Sequence, residues 1–250
     1  MRSECILEVN KLSKRFGGVV ALHDISFRLN KSEFIGVIGP NGSGKSTLVN
    51  LITGFVKPSS GSIVFQGEDI TGKRPYVISN RGIARTFQMA KAFDHLPAFK
   101  NVIIPLCSNR VKKFRGGQYG ERDDIAIDLL EEVGFERDSS VPYKMTKSLP
   151  HGYLKRLELA RCLALRADLV VLDELFSGMS MSEVAATLPI IEKLKASQKT
   201  IIMIEHRLRE LFRVVDRVIV LNFGVLIADG KPAEVMKNEA VKSAYLGSEE

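Results

Sequence analysis

One octapeptide limits what this chain can fold into. Gly39-Pro-Asn-Gly-Ser-Gly-Lys-Ser46 reads as a glycine, four residues, then Gly-Lys-Ser. Glycines at those places let the backbone curl until successive amides point at one anion. A helix starting at the end of the loop adds its N-terminal partial positive charge. The expected product is a phosphate cradle made of Gly39, Pro40, Asn41, Gly42, Ser43, Gly44, Lys45, Ser46 and Thr47. Lys45 can reach the outer phosphates of a nucleotide, and the Ser46 hydroxyl can bind Mg²⁺. A chance match in a chain of this length has a probability of roughly 1%. The apolar run Phe34–Ile38 before it and the helical segment predicted from about Lys45 make a mere flexible turn the poorer reading.

The rest of the pattern supplies a sheet and helices. Ile6–Val9, Ile25–Leu29 and Ser62–Phe65, the last closed by Gln66-Gly67, read as strands, so the first hundred residues are expected to be strands and turns around one helix. From about Met89 to Leu165 the strand signals fade. Asp123 can cap a helix carrying Ile125, Leu129, Leu130 and Val133 on one face, with Gly134 as its stop. A second helix is predicted over about Gly152–Ala164, with Leu154, Leu157, Ala160 and Arg161 setting its period. The basic, Gly-rich segment Arg110–Arg122 reads as an exposed loop. Alternation then returns: strand Leu169–Leu172, a helix capped by Ser182 and kinked at Pro189, strand Thr200–Ile204, helix Arg207–Val214, strand Val218–Leu221. Strands alternating with helices predict a mainly parallel sheet wrapped by helices, and the helical middle reads as an insertion.

Two more strand ends carry polar groups. Leu169-Val-Val-Leu-Asp173-Glu174 is an apolar strand ending in two carboxylates, where α/β sheets bind ligands. Asp173 can hold a metal's water shell, and Glu174 can orient and activate an attacking water. Alone this is a common arrangement; beside a phosphate loop it gains weight. Ile201-Ile-Met-Ile204-Glu205-His206 is a third such strand, and His206 is a candidate γ-phosphate contact, although a lone His after a strand is more often structural.

Composition removes some classes. The chain is 45% hydrophobic, enough for a sizeable core, and its net charge is 36 − 29 = +7. That balance fits a polyanion, an anionic membrane face or simply a solvated surface. No apolar run approaches the roughly 20 residues of a membrane span. The N-terminal segment MRSECILEVNKL lacks the apolar stretch of an export signal. Cys5, Cys107 and Cys162 have no metal-ligand spacing and suit a reducing compartment.

Taken together, Phe16, the phosphate loop, Gln88, Arg156–Ala164, Asp173-Glu174 and His206 resemble, in order and spacing, the ATPases of ABC transporters, over essentially the whole chain. Arg15–Leu22, Gly82–Gln88, Arg156–Cys162, Ile204–His206 and Ala244-Tyr-Leu-Gly247 are most similar to the LivG-type ATP-binding subunits of branched-chain amino acid importers. The resemblance implies a single α/β P-loop NTPase domain over 1–250, an ABC cassette with an N-terminal antiparallel β portion. Residues 1–88 and 166–250 would form the core, 89–165 an inserted helical subdomain and 239–250 a C-terminal tail. It implies an ATPase that uses ATP and Mg²⁺, with Phe16 stacking on adenine, Gln88 touching the metal beside Ser46 and Asp173, and Glu174 and His206 as catalytic residues. Implied partners are a second ATPase subunit, two membrane-spanning permeases and, indirectly, an extracytoplasmic solute-binding protein. No nucleic-acid partner is implied, and the location is the cytoplasmic face of the membrane.

The sequence also departs from that family. Its signature Leu-Ser-Gly-Gly-Gln aligns with Leu149-Pro150-His151-Gly152-Tyr153, so only Leu149 and Gly152 match. The signature serine donates a hydroxyl and an amide to the γ-phosphate of ATP held by the opposite subunit. Proline has neither donor. Leu175 and Ser180 replace a proline and an aspartate in the loop after Glu174. These changes favour pairing with a different, LivF-like cassette over self-pairing. Two other readings remain: a regulatory nucleotide-binding module, against which Glu174 and His206 speak, and a soluble ABC ATPase outside transport. The second usually has two cassettes in one chain or a long coiled-coil insertion, and neither is here.

Overall fold

The computed structural model describes residues 4–88, 92–115 and 122–246. Met89, the Gly-rich stretch 116–121 and Gly247, all singled out above, lie outside the described residues. In chain order the elements are β1 (Cys5–Phe16), β2 (Val19–Asn30), β3 (Phe34–Ile38), α1 (Lys45–Ile52), β4 (Ser60–Phe65), β5 (Glu68–Asp69), α2 (Pro75–Arg81), β6 (Ile83–Arg85), α3 (Ala98–Leu106), α4 (Asn109–Arg115), α5 (Arg122–Glu132), α6 (His151–Ala164), β7 (Leu169–Asp173), α7 (Met181–Ala196), β8 (Thr200–Ile204), α8 (Leu208–Val214), β9 (Arg217–Asn222), β10 (Val225–Gly230), α9 (Pro232–Val235) and α10 (Glu239–Leu246). Two compact units divide the chain, one made of residues 1–78 and 198–250 and the other of 79–197.

The first unit holds two layers of strands. β2, β1, β4 and β5 form an antiparallel sheet in that order. β3 runs parallel to both β8 and β9, and β10 is antiparallel to β9. Every residue of β3 and β8 is buried. That explains their near-continuous apolar runs, since a strand covered on both faces has no polar side to alternate with. β1 and β2 are much longer than Ile6–Val9 and Ile25–Leu29 because register shifts break the alternation. Val9 and Leu12 are both buried although three apart, and Lys11 between them has φ 45°. A bulge there resets which residues face inward, and period-two reading stops at it. α2, α9 and α10 were not anticipated either; one helix among the first hundred residues was too few.

The second unit packs α3, α5 and α6 against one another beside the parallel pair β6 and β7. Gly134 does end α5: it has φ 82°, Phe135 N–H donates to Leu130 at 2.9 Å and Gly134 N–H to Glu131 at 2.9 Å, the Schellman pattern. The buried face of α5 is Ala126, Ile127 and Leu130, continued by Val133; Ile125 and Leu129 are only half-buried. Two expectations are corrected here. The first part of the expected loop Arg110–Arg122 is α4, where Arg110 is buried and its guanidinium reaches Asp168 at 2.8 Å and the Arg166 carbonyl at 2.9 Å. The cap of α7 is Ser180, not Ser182, because Glu183 sits three residues on and completes a capping box. Helix α7 contains Pro189 and continues to Ala196. Among the described residues no helix is long and apolar enough to cross a membrane. Burial pushes the Cys162 thiol up to about 12, so it carries no thiolate at neutral pH.

Candidate nucleotide site

In the first unit, the phosphate loop and His206 leave adjacent parallel strands at the same edge. Val37 of β3 pairs with Ile204 of β8, so Gly39 and His206 each follow two residues later. Leu221 of neighbouring β9 lies against the loop. A Cβ on Gly39, whose φ is 151°, would stand 2.1 Å from the Leu221 carbonyl oxygen and 2.6 Å from Ser43 Oγ. Only glycine lets the strand turn into the loop at that point. Gly44 is the N-cap of α1, and Leu48 N–H closes the first turn on its carbonyl at 2.9 Å. Lys45 is buried with its ammonium folded onto the loop, donating to the Gly39 carbonyl at 2.8 Å and the Pro40 carbonyl at 2.9 Å. Asn41, Gly42, Ser46 and His206 are exposed, and Thr47 is half-buried. Phe16 ends β1, is 49% exposed and has the Lys14 ammonium 4.8 Å from its ring centroid. α10 also approaches the loop: a cavity of about 300 Å³ is lined by Pro40, Asn41 and Ser43 on one side and Ala240, Ser243 and Ala244 on the other.

In the second unit, Arg85 of β6 pairs with Val171 of β7. Three residues beyond this pair the side chains of Gln88 and Glu174 meet, Gln88 Nε2 donating to Glu174 Oε2 at 2.8 Å. Asp173 is buried, held by the Arg85 guanidinium at 2.6 Å, while its own N–H donates to Thr86 Oγ1 at 3.0 Å. Glu174 has φ 49°, a strained value for a non-glycine residue of the kind found at working sites.

The degenerate signature lies at the start of α6. Pro150 is the N-cap and offers no side-chain cap bond. Leu149 is buried. A ring nitrogen of His151, Nε2, lies 3.1 Å from the Ser177 carbonyl. The Gly152 N–H donates to Glu183 Oε1 at 3.1 Å. Tyr153 turns away, donating its hydroxyl to the Glu136 carboxylate at 2.8 Å and packing edge-on against Phe135 with centroids 5.0 Å apart. Burial raises the Tyr153 pKa, and hydrogen bonds from Ser180, main chain and hydroxyl, hold the Glu183 carboxyl below its usual range. A carboxylate thus occupies one of the amides with which a helix N-terminus would bind an external anion.

The comparisons with known proteins bear on this arrangement. The family model for the ABC transporter matches residues 22–177, and the one for branched-chain amino acid ATP-binding cassette transporters matches residues 225–250. The chain is 32% identical over 255 residues to the high-affinity branched-chain amino acid transport ATP-binding protein BraF of Pseudomonas aeruginosa, covering 98% of this chain and 99% of that one. It belongs to the ABC-transporter ATP-binding cassettes. The LivG protein of Salmonella typhimurium is 33% identical, with 98% and 99% covered. A crystal structure of an ABC-transporter ATP-binding cassette in its ADP conformation superposes with a TM-score of 0.85 at 30% identity, covering 98% of this chain and all of the other. Cassettes of this family bind nucleotide and hydrolyse ATP to power transport.

The cassette also uses residues that sequence reading missed. Arg85 and Thr86 sit inside a segment quoted only for its likeness. Lys155 and Glu158 lie one helical turn apart on the buried side of α6, where charged residues stand out against an apolar face. Glu183 was legible as the fourth residue of Ser180-x-x-Glu183, a capping box hidden by placing the cap at Ser182.

Proposed function

We propose that this cassette is the ATP-hydrolysing subunit of an importer for branched-chain amino acids or similar small polar solutes. The match of residues 225–250 supports the cargo class, and the Gln88–Glu174 contact beside Asp173 carries the catalytic reading. The phosphate-loop amides and Lys45 bind and neutralise the phosphates. Glu174 accepts the proton of a water whose oxygen attacks the γ-phosphorus; the bond to the β-phosphate oxygen breaks and ADP leaves. Gln88 orients that carboxylate through its amide. His206 donates to the γ-phosphate, and Phe16 stacks on the base.

Among the described residues no cluster of three or more His, Cys, Asp and Glu side chains is arranged to hold a metal by itself. Ser46, Gln88 and Asp173 are hard oxygen donors, and the Asp173 charge is already matched by Arg85. Donors of this kind suit Mg²⁺ arriving on the phosphates, because Mg²⁺ takes few protein ligands there. When bound it would neutralise phosphate charge.

The partners follow from the same chemistry. A second, LivF-like cassette with a sound signature would complete the site that Glu174 serves. The site served by Leu149–Tyr153 would be weak, since Pro150 has no donor and the Gly152 amide is engaged by Glu183. Two permeases would dock on the second unit, where Phe93, Leu96, Tyr143 and Met145 expose apolar surface suited to a short amphipathic helix. A solute-binding protein would act only through those permeases. These contacts would hold the cassette on the cytoplasmic face of the membrane.

The experiment that tests nucleotide binding is calorimetry of Lys45→Ala. Removing the ammonium should weaken ATP binding at least tenfold, about 1.4 kcal/mol. Equal affinities in variant and parent would refute the loop's role.

A further inference from the structure

Helix α6 carries two charged groups into the interior. Lys155 is fully buried, at 0% exposure, and Glu158 is 3% exposed. Lys155 Nζ donates to the Gln88 carbonyl at 2.6 Å and approaches the Glu174 carbonyl at 3.3 Å and the Phe87 carbonyl at 3.4 Å. Glu158 Oε2 accepts the Phe87 N–H at 3.1 Å. The two residues are three apart, so they share one face of the helix. Both reach for main chain, and the main chain they reach belongs to the two segments whose side chains meet in the Gln88–Glu174 hydrogen bond.

A buried lysine used only as packing is a poor choice. Its ammonium loses its hydration, and an apolar residue of similar volume is often as good or better for stability. What the ammonium adds is direction: its three donors fix the positions of carbonyls that an apolar side chain would leave free. We propose that Lys155 and Glu158 form a clasp that sets the main chain of Gln88 and Glu174 for hydrolysis, which makes Lys155 a positioning residue. The clasp rises from the helix whose first turn is the signature, so the segment meeting the opposite subunit's nucleotide and the segment bearing this chain's catalytic carboxylate are joined through one charged side chain. The inference rests on the reading of Glu174 as the group that activates water.

The test uses the transporter reconstituted with its permeases and second cassette. Lys155→Met keeps the length of the side chain and removes the donors. It should leave the ATP affinity of the cassette within twofold of the parent and lower kcat at least tenfold. The discriminating readout is a double-mutant cycle with Gln88→Ala. If Lys155 acts through the Gln88–Glu174 pair, Lys155→Met costs much less in the Gln88→Ala background than in the parent. Additive losses, an unchanged kcat, or affinity falling by the same factor as kcat would each overturn the proposal. Should Lys155→Met fail to fold, Glu158→Gln reads the other arm: kcat at least threefold lower at unchanged affinity supports the clasp, and unchanged kcat overturns it. Failure of the catalytic reading itself would appear differently, as full turnover in Glu174→Gln.

Discussion

Replacing Glu174 by Gln is expected to leave ATP bound and unhydrolysed. The amide keeps the shape of the side chain at the end of β7 and can still meet Gln88, but it cannot accept the proton of the attacking water. Loss of a general base costs about 10²–10⁴-fold in rate. In the assembled transporter ATP turnover should therefore fall at least about 100-fold. ATP affinity should hold or rise, because the phosphate loop lies on other residues and the closed state can no longer decay. Phosphate release and nucleotide retention measured on the same preparation check both halves. Parental turnover in Glu174→Gln would remove this residue from the mechanism.

The second large effect concerns Gly39. An added methyl at Gly39 would stand 2.1 Å from the Leu221 carbonyl oxygen. That atom is main chain of β9 and cannot swing aside, so the loop itself must shift. Because Lys45 hangs on the Gly39 and Pro40 carbonyls, the shift carries the ammonium with it. Gly39→Ala should weaken ATP binding at least about 100-fold, about 2.7 kcal/mol. Gly42 is the control: its φ is 76°, but a Cβ there meets nothing within 4 Å. Gly42→Ala adds only left-handed strain, about 1–2 kcal/mol, and should lose far less. Calorimetric affinities that rank the two variants the other way would contradict this account of the loop.

Much of this was legible in the residues because the chemistry is local. β3 and β8 lie at the predicted bounds and α1 begins at its predicted start, since a short apolar run between turn residues leaves few alternatives and a glycine loop fixes where α1 can start. The polar strand ends were legible for the same reason. Other features depend on pairings that sequence does not print. Bulges in β1 hid most of its length, because inward and outward positions exchange at Val9–Leu12. Arg110 looked like part of a basic loop, whereas Asp168 and the Leu165 and Arg166 carbonyls hold it inside. The condition of the signature was half visible: Pro150 announced the missing donor, but capture of the Gly152 amide by Glu183 needs two segments thirty-one positions apart to meet.

That capture sharpens the expectation of unequal sites. Losing a hydrogen bond to a charged phosphate costs about 1.5–3 kcal/mol, a factor of ten or more in rate. The site facing Leu149–Tyr153 should bind ATP and turn over slowly, and hydrolysis through Glu174 should carry most of the work. The most direct test is ATP turnover of the reconstituted transporter with the catalytic glutamate changed to glutamine in one cassette at a time. Glu174→Gln in this chain should stop most turnover, while the matching change in the second cassette should cost much less. Equal losses from the two variants would contradict the account.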